Sequence, residues 1–276
     1  MKQSNENVVV VSMKTELKKI VFSKVYVISL VLLQIISFLL VKSNMEISNE
    51  KMMAIRSPDI WGNMIYPQSL YNSVLGFSEN ILLTEILCSI MVFGATFNSK
   101  LLIDDNKSDC YKGKGEYAFF KTKQLAVFVS GFLLAYITFT VNCLATALFI
   151  PAIEPEVMCL EFPIAYYGKM CSPIYAKYPL ILLCLYYLVM SVMLGLISTM
   201  PFLLSQRFHN GIICNGIPLL FAVVIAWISY QKNHAVFGFL LPVNLTLRTF
   251  EVVTAVIVML ILINIIFDLL IRRRNR

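Results

Sequence analysis

Long apolar runs divide this sequence and limit what it can fold into. Four of the runs contain no Asp, Glu, Lys or Arg, and two contain one acidic residue each. An α-helix rises about 1.5 Å per residue, so about 20 apolar residues cross the hydrocarbon core of a bilayer. The runs predict six transmembrane helices, at residues 25–41, 81–97, 124–150, 178–206, 212–230 and 252–271.

The composition leads to the same class. Of 276 residues, 58% are hydrophobic and 14% are charged, whereas soluble domains contain about 25% charged residues. The net charge of +7 would also suit nucleic acid, but a nucleic-acid-binding patch concentrates on one water-exposed face. Here the basic residues separate the apolar runs instead. We therefore expect an all-α membrane protein with a single transmembrane domain, residues 1–276, and no nucleic-acid partner.

The distribution of basic residues predicts the orientation. Six crossings place both termini on one side of the membrane. Most Lys and Arg residues fall on that side, within residues 1–24, within residues 98–123 and at the C-terminus. Cytoplasmic loops carry the excess of basic residues in multi-pass proteins. We expect a multi-pass protein of the cell membrane with both termini in the cytoplasm.

Two further elements are predicted outside the spans. Residues 8–24 mix apolar and basic side chains, which is typical of a helix lying at a membrane surface; a solvated basic leader that only sets topology is the alternative. Residues 235–243, AVFGFLLPV, are apolar but too short to cross. Gly238 and Pro242 would interrupt a helix there, so this stretch, which includes Phe237, predicts an outer re-entrant hairpin buried against protein.

Residues 98–123, which we name the linking segment, join the second and third predicted spans. The segment contains six lysines and four acidic residues, and each would cost about 2.5–3.5 kcal/mol in the bilayer core. It is therefore expected in water. Four aromatic residues fall within ten positions, so a short helix there could present Tyr117 and Phe120 to a groove on a partner. Anchoring of these aromatics to the inner leaflet is the alternative.

Signals for catalysis are weak. The only histidines, His209 and His234, are predicted on opposite faces of the bilayer, so they do not form a shared zinc site. Gly113-Lys114-Gly115 is too short for a phosphate-binding loop, and neither G-x-S-x-G nor HExxH occurs. We expect no catalytic residue, no metal site and no cofactor held by this chain.

Ionisable residues inside a membrane are functional candidates by default, and here they are Glu85 and Asp268. Glu85 is close enough to its span's outer end to reach the interface, and Asp268 precedes Arg272 at the i,i+4 spacing of a local ion pair. These two acids lie near opposite faces, which disfavours an intramembrane enzyme. Cys159 and Cys171 share one outer loop, where they form a disulfide or remain two free thiols.

Polar residues within the spans predict contacts between helices. The three candidates for hydrogen bonds across helices are Asn142, Asn215 and Asn264, each worth roughly 1 kcal/mol. Such bonds mainly serve packing. None of them defines a substrate site.

The order of these elements resembles that of the permease subunits of type-2 ABC exporters. Residues 69–110, SLYNSVLGFSENILLTEILCSIMVFGATFNSKLLIDDNKSDC, resemble the second span and following loop of small Firmicutes permeases encoded with a separate ATPase. Those permeases include members of peptide-bacteriocin self-protection systems. Relatives usually continue with a Gly-Thr turn and an Arg-rich helix, whereas this chain has Phe97-Asn98-Ser99-Lys100 and then lysines.

The resemblance implies a transport subunit without its own ATPase site. Two permeases, either identical or paired with a sister subunit, would bind two cytoplasmic ABC ATPase subunits that hold ATP and Mg, and together export a hydrophobic or peptide substrate. The hairpin at residues 235–243 would cap the pathway. The residues expected to contact the ATPase are Lys107, Tyr111, Lys112, Lys114, Glu116, Tyr117 and Phe120. The alternative is an ATPase-independent immunity or sensor protein that binds a peptide at its outer loops.

Overall fold

The computed structural model describes residues 13–55, 68–75, 80–98, 116–154, 172–206, 208, 210–233 and 247–274. Within these ranges the backbone is mostly α-helical and contains no strand. The helices are α1 (residues 13–21), α2 (Lys24–Ile55), α3 (Leu70–Ser73), α4 (Ile81–Phe97), α5 (Glu116–Phe149), α6 (Ser172–Lys177), α7 (Pro179–Ser205), α8 (Gly211–Asn233) and α9 (Leu247–Arg274).

Three of the described helices are long and apolar enough to cross a membrane, through Lys24–Met53 of α2, Phe120–Phe149 of α5 and Pro179–Ser205 of α7. Shorter apolar stretches lie in α4, α8 and α9, at Leu82–Phe97, Ile212–Val224 and Thr254–Ile266. Large apolar side chains project outward along α2, α7 and α8, as lipid-facing surfaces do. The prediction of an all-α membrane protein is confirmed for the described residues, whereas the number of crossings stays a prediction.

The limits of a predicted span match those of the helix only where the helix ends with its apolar run. The apolar run at residues 81–97, predicted as the second span, coincides with α4. By contrast, α2 continues to Ile55, beyond the predicted end at residue 41. Residues 42–55 are polar but contain neither Gly nor Pro, and an i,i+4 contact joins Lys42 Nζ to Glu46 Oε1 at 3.8 Å. Polarity ends the apolar run there without ending the helix.

The N-terminal helix α1 falls within the predicted interfacial helix 8–24, and residues 8–12 lie outside the described part. Ile20 and Glu16 are buried, while Lys14, Lys18 and Lys19 are exposed. A turn at residues 22–23 separates α1 from α2. There the Tyr26 backbone N–H donates to Ser23 Oγ at 3.1 Å, the N-cap contact that satisfies a free amide at a helix start.

Helices α5 and α7 form the centre of the bundle and run antiparallel. The start of α5 meets the end of α7 where Phe120 stacks on Phe202, with ring centroids 5.2 Å apart. Further along, Phe139 of α5 stacks on Tyr187 of α7 at 4.6 Å. The order of these contacts establishes the antiparallel arrangement.

Small residues let the backbones of α5 and α7 approach closely. A Cβ added to Gly131 would lie 2.7 Å from Ser198 Cβ, and one added to Gly195 would lie 2.8 Å from the Phe128 ring. Ser198 Oγ lies 2.9 Å from the carbonyl oxygen of Val127 on the facing helix. Close backbone approach with cross-helix hydrogen bonds is the usual packing of helices in membranes.

Helix α4 packs against α2 in the opposite direction. Gly94, near the end of α4, faces Ser29 near the start of α2, and Asn80 Nδ2, at the start of α4, donates to Ser43 Oγ at 2.8 Å. The bundle thus has two ends. We name them the α1 end, which carries α1, Asn98 and the start of α5, and the α3 end, which carries α3, α6 and the end of α5.

Candidate functional site

The linking segment leads into the α1 end, and most of its predicted contact residues lie outside the described residues. Those outside are Lys107, Tyr111, Lys112 and Lys114. Glu116 and Tyr117 form the first turn of α5. The structure therefore shows that the end of the linking segment and the third predicted span form one continuous helix of 34 residues.

Phe120 is the predicted contact residue whose side chain the structure describes. Its ring is 9% exposed and stacks on Phe202 of α7 with an interplanar angle of 22°. Contact between Phe120 and a partner protein stays a prediction. In this chain the ring packs inward, where it joins the start of α5 to the end of α7.

The last residues of the linking segment are buried, which corrects the expectation that the whole segment lies in water. Lys123 is 2% exposed, and Thr122 is also buried; both have interaction partners within the structure. Lysine is seldom fully buried without a partner, since transfer of its charge from water is costly. The charged residues of the segment predict a position in water, but charge alone could not predict that α5 enters the bundle this early.

A polar contact one turn further joins three helices. The side-chain oxygen Oδ1 of Asn264 on α9 accepts a hydrogen bond from Thr199 Oγ1 of α7 at 2.7 Å and another from Gln124 Nε2 of α5 at 3.5 Å. Its amide nitrogen donates to the Leu260 carbonyl oxygen at 2.9 Å. The predicted cross-helix role of Asn264 is thereby confirmed, and Gln124 and Thr199 are partners that the sequence pattern did not single out.

Of the other two asparagines predicted to bond across helices, one forms such a bond and one does not. Asn142 makes the expected bond across helices, with Nδ2 donating to Ser37 Oγ of α2 at 3.0 Å. Asn215 does not, since its Oδ1 is buried and has no hydrogen-bond partner in the part of the chain that the structure describes. A side-chain amide forms a bond across helices only if the facing helix carries a hydrogen-bonding group at the same level along the bundle.

Asn98 ends α4 where the chain enters the linking segment. Its backbone N–H donates to the Gly94 carbonyl oxygen at 3.0 Å, but both polar atoms of its side chain are buried without a partner among the described residues. The same holds for Oε2 of the buried Glu16 on α1. An unsatisfied buried polar group costs about 1–3 kcal/mol.

The remaining candidates do not form a reactive centre within the described ranges. Glu85 is half-buried near the start of α4 and has an interaction partner within the structure. Asp268 belongs to α9, in which its backbone alone is described. Among the described residues, no group of His, Cys, Asp and Glu could hold a metal ion. The remaining candidates that lie outside the described residues are Cys159, Cys171, Phe237, Gly238 and Pro242.

The α1 end thus brings together the start of α5, the end of α7 and the second half of α9. An aromatic stack and an amide contact link these helices, and both lie within two turns of the linking segment. Such an arrangement can transmit a displacement of the linking segment to the bundle. Comparison of the chain with protein-family models, with curated proteins and with solved structures finds no match.

Proposed function

We propose that this chain is the transmembrane subunit of an ABC exporter, in which a separate cytoplasmic subunit hydrolyses ATP to move a hydrophobic or peptide substrate outward. The observation that carries the proposal is the path from the linking segment into the bundle. α5 begins inside that segment and continues through the apolar core without interruption. A helix of this length extends about 50 Å, so it can act as a lever between a cytoplasmic contact and the membrane.

The proposed topology has six crossings, made by α2, α4, α5, α7, α8 and α9. The antiparallel contacts of α2 with α4 and of α5 with α7 support alternating directions. The shortest of the six, α4, contains 17 residues, about 25 Å of helix, and polar side chains near its ends can reach the interface. Both termini and the α1 end are then cytoplasmic, as the excess of basic residues predicts.

In this proposal α1 lies along the inner membrane surface. Its exposed lysines Lys14, Lys18 and Lys19 suit anionic headgroups, and its buried Ile20 attaches it to the bundle. The hairpin at residues 235–243 caps the outer end of the pathway. A second permease, either identical or a sister chain, completes the transporter.

Coupling proceeds through two contacts of α5. The Phe120–Phe202 stack passes a movement of the linking segment to the end of α7, and the Gln124–Asn264 contact passes it to α9. Because packed helices shift as units between discrete arrangements, movement of α5 at its cytoplasmic start alters the spacing of the helices around it. ATP-driven closure of the ATPase pair supplies that movement.

The test begins with purification of the tagged chain from its native membrane in mild detergent. We expect a nucleotide-binding subunit to co-purify and its ATPase activity to respond to candidate peptides. Reversal of charge with Lys112→Glu and Lys114→Glu should uncouple ATP hydrolysis from transport. The control reverses two exposed charges at the opposite end, with Lys42→Glu and Lys177→Glu, and should leave coupling unchanged.

Two outcomes would contradict the proposal. Unchanged transport in the Lys112→Glu, Lys114→Glu variant would remove the linking segment from the coupling path. Protection of cells against a peptide that persists after deletion of every candidate ATPase would instead favour an energy-independent immunity or sensor protein.

A further inference from the structure

Two cysteines on the central helices lie at the same level near the α3 end. Phe139 of α5 stacks on Tyr187 of α7 with ring centroids 4.6 Å apart. Cys143 follows Phe139 by four residues, and Cys184 precedes Tyr187 by three. Because α5 and α7 run antiparallel, both steps lead about one helical turn from the ring stack toward the α3 end.

The two thiols are also close enough to influence each other. Cys143 interacts electrostatically with Cys184, and both interact with the Tyr187 hydroxyl. Small residues already hold α5 and α7 at close approach. Helices packed about 8–10 Å apart bring facing Cα atoms to within roughly 4–7 Å, and a disulfide usually joins Cα atoms about 4.4–6.8 Å apart. The level and the spacing of the helices therefore suit a bond between the two sulfurs.

Exposure separates this pair from the other described cysteines. Cys184 is exposed and Cys143 is half-buried, and both are free thiols. By contrast, Cys88 is 3% exposed and Cys214 is 0% exposed. Among the described cysteines, the pair on α5 and α7 is the one that a reagent can reach.

The pair lies close to the ends of its helices. Cys184 is five residues from Pro179, where α7 begins, which is about 8 Å along the helix axis. Just before that start, Lys177 Nζ lies over the Tyr178 ring, 5.4 Å from its centroid. Tyr and Lys side chains at the end of an apolar helix are typical of the membrane–water interface. A small oxidant can thus reach the pair from the water at the α3 end.

The short turn α3 is firmly held beside this pair. Its apolar residues and those just after it belong to the main core, at Leu70, Val74 and Leu75. The Ser69 backbone N–H donates to Asn72 Oδ1 at 2.9 Å and closes the turn. On the α2 side, Asn44 Nδ2 donates to the Ser73 carbonyl oxygen. α3 is therefore a fixed part of the bundle end.

Further hydrogen bonds connect α3 to the helices that carry the two thiols. The Leu75 backbone N–H donates to Oδ1 of Asn142, the residue before Cys143, at 2.7 Å. Tyr175 Oη of α6 donates to the Tyr71 carbonyl oxygen at 2.7 Å, and α6 is separated from α7 by one residue. These contacts hold the end of α5 and the start of α7 in place, so the two thiols stay at one level.

We propose that Cys143 and Cys184 are a disulfide site that covalently joins α5 to α7. The oxidant is a small external disulfide. The exposed Cys184 thiolate attacks one sulfur of that disulfide, forms a mixed disulfide and releases one thiol. The Cys143 thiolate then attacks Cys184 Sγ and displaces the second thiol. The protein loses two electrons and two protons, and the external disulfide is reduced to two thiols.

The bond closes the chain between residues 143 and 184, which includes the connection from α5 to α6 and α7. A disulfide that closes a long segment lowers the conformational entropy of the unfolded chain and so stabilises the folded one. The oxidised protein should therefore unfold at a higher temperature than the reduced protein.

The experiment treats the full reduced chain in nanodiscs with dithiodipyridine, a small disulfide, and then blocks the remaining thiols with N-ethylmaleimide. Peptide mass spectrometry without reduction identifies the linked cysteines. We expect a peptide that contains Cys143 joined to one that contains Cys184 in most chains. The midpoint of thermal unfolding should rise by several degrees on oxidation.

Single substitutions show whether the link requires both thiols. Cys143→Ser and Cys184→Ser should each prevent the link, leave the remaining cysteine as a mixed disulfide and reduce the rise in unfolding midpoint on oxidation. Cys88→Ser is the matched control, because Cys88 is a buried cysteine of α4, and this variant should form the link as the parent chain does.

Two results would overturn the proposal. One is separate adducts on Cys143 and Cys184 of the parent chain, with no link between them. The other is a link from either residue to Cys159 or Cys171, because the bundle end would then favour a different pairing.

Formation of the link in cells rests on the proposed function, which places the α3 end outside. N-ethylmaleimide added to intact cells before lysis blocks the thiols that are free there. A link between Cys143 and Cys184 in these cells supports the outward placement, since disulfides persist in oxidising compartments. If the link forms with dithiodipyridine in nanodiscs while both thiols are free in cells, the disulfide site stands and the outward placement of the α3 end fails.

Discussion

Replacement of Gly131 with alanine should weaken the contact between α5 and α7 at the centre of the bundle. The added Cβ would lie 2.7 Å from Ser198 Cβ and 2.9 Å from the Leu194 carbonyl oxygen, well inside van der Waals contact. A backbone oxygen cannot rotate away, so the helices must shift. Overpacking of this kind costs about 1–3 kcal/mol.

The intrinsic preference of alanine for helices opposes this cost. Ala is about 1 kcal/mol more favourable than Gly in a helix interior, so Gly131→Ala should destabilise by up to about 2 kcal/mol after the gain is subtracted. Gly216 on α8 is the matched control, because a Cβ added there meets nothing within 4 Å. Gly216→Ala should be neutral or stabilising by up to about 1 kcal/mol.

Thermal unfolding of both variants in the same detergent measures the difference. We expect a lower midpoint for Gly131→Ala than for the parent chain, and an equal or higher midpoint for Gly216→Ala. The double variant Gly131→Ala, Ser198→Gly should recover part of the loss, since it removes the contacts of the added Cβ with the Ser198 side chain and leaves the one with the Leu194 carbonyl oxygen. If both single variants raise the midpoint equally, the close approach of α5 and α7 described above is incorrect.

Three further predictions concern the two ends of the bundle. Phe120→Ala should destabilise by about 3 kcal/mol, whereas Phe149→Ala, at an exposed position of the same helix, should cost less than about 1 kcal/mol; equal midpoints would contradict the inward packing of Phe120. Asn264→Leu and Thr199→Val should each cost about 1 kcal/mol, and additive effects in the double variant would show that their contact contributes nothing. Folding raises the pKa of the Tyr175 hydroxyl, so the free energy of unfolding should fall as pH rises above about 10, where tyrosine in the unfolded chain ionises. Tyr175→Phe should make the fall in melting temperature between about pH 10 and 11 less steep. Parallel melting-temperature curves for the parent and the variant would contradict this.

Local properties of the sequence determined that this is a membrane protein and where some of its elements lie. The membrane class follows from the length of the apolar runs, because each run must find an apolar environment whatever its neighbours are. The limits of α4 agree with residues 81–97 for the same reason. The sequence also predicted the cross-helix bonds of Asn142 and Asn264, since an amide inside a bundle needs a polar partner. The same reasoning did not hold for Asn215, whose Oδ1 has no partner among the described residues.

Only the tertiary structure decided which residues serve as partners and where a polar stretch is buried. Lys123 and Phe120 belong by composition to a solvated segment, yet α5 carries them into contact with the rest of the bundle. The short turn α3 has a recognisable capping pattern in Ser69 and Asn72, but its seat combines α2, α5 and α6. Periodicity and charge indicate whether one segment prefers water or an apolar environment. Burial and hydrogen bonding depend on groups that are distant in the chain, from 29 residues between Asn44 and Ser73 to 104 residues between Tyr71 and Tyr175.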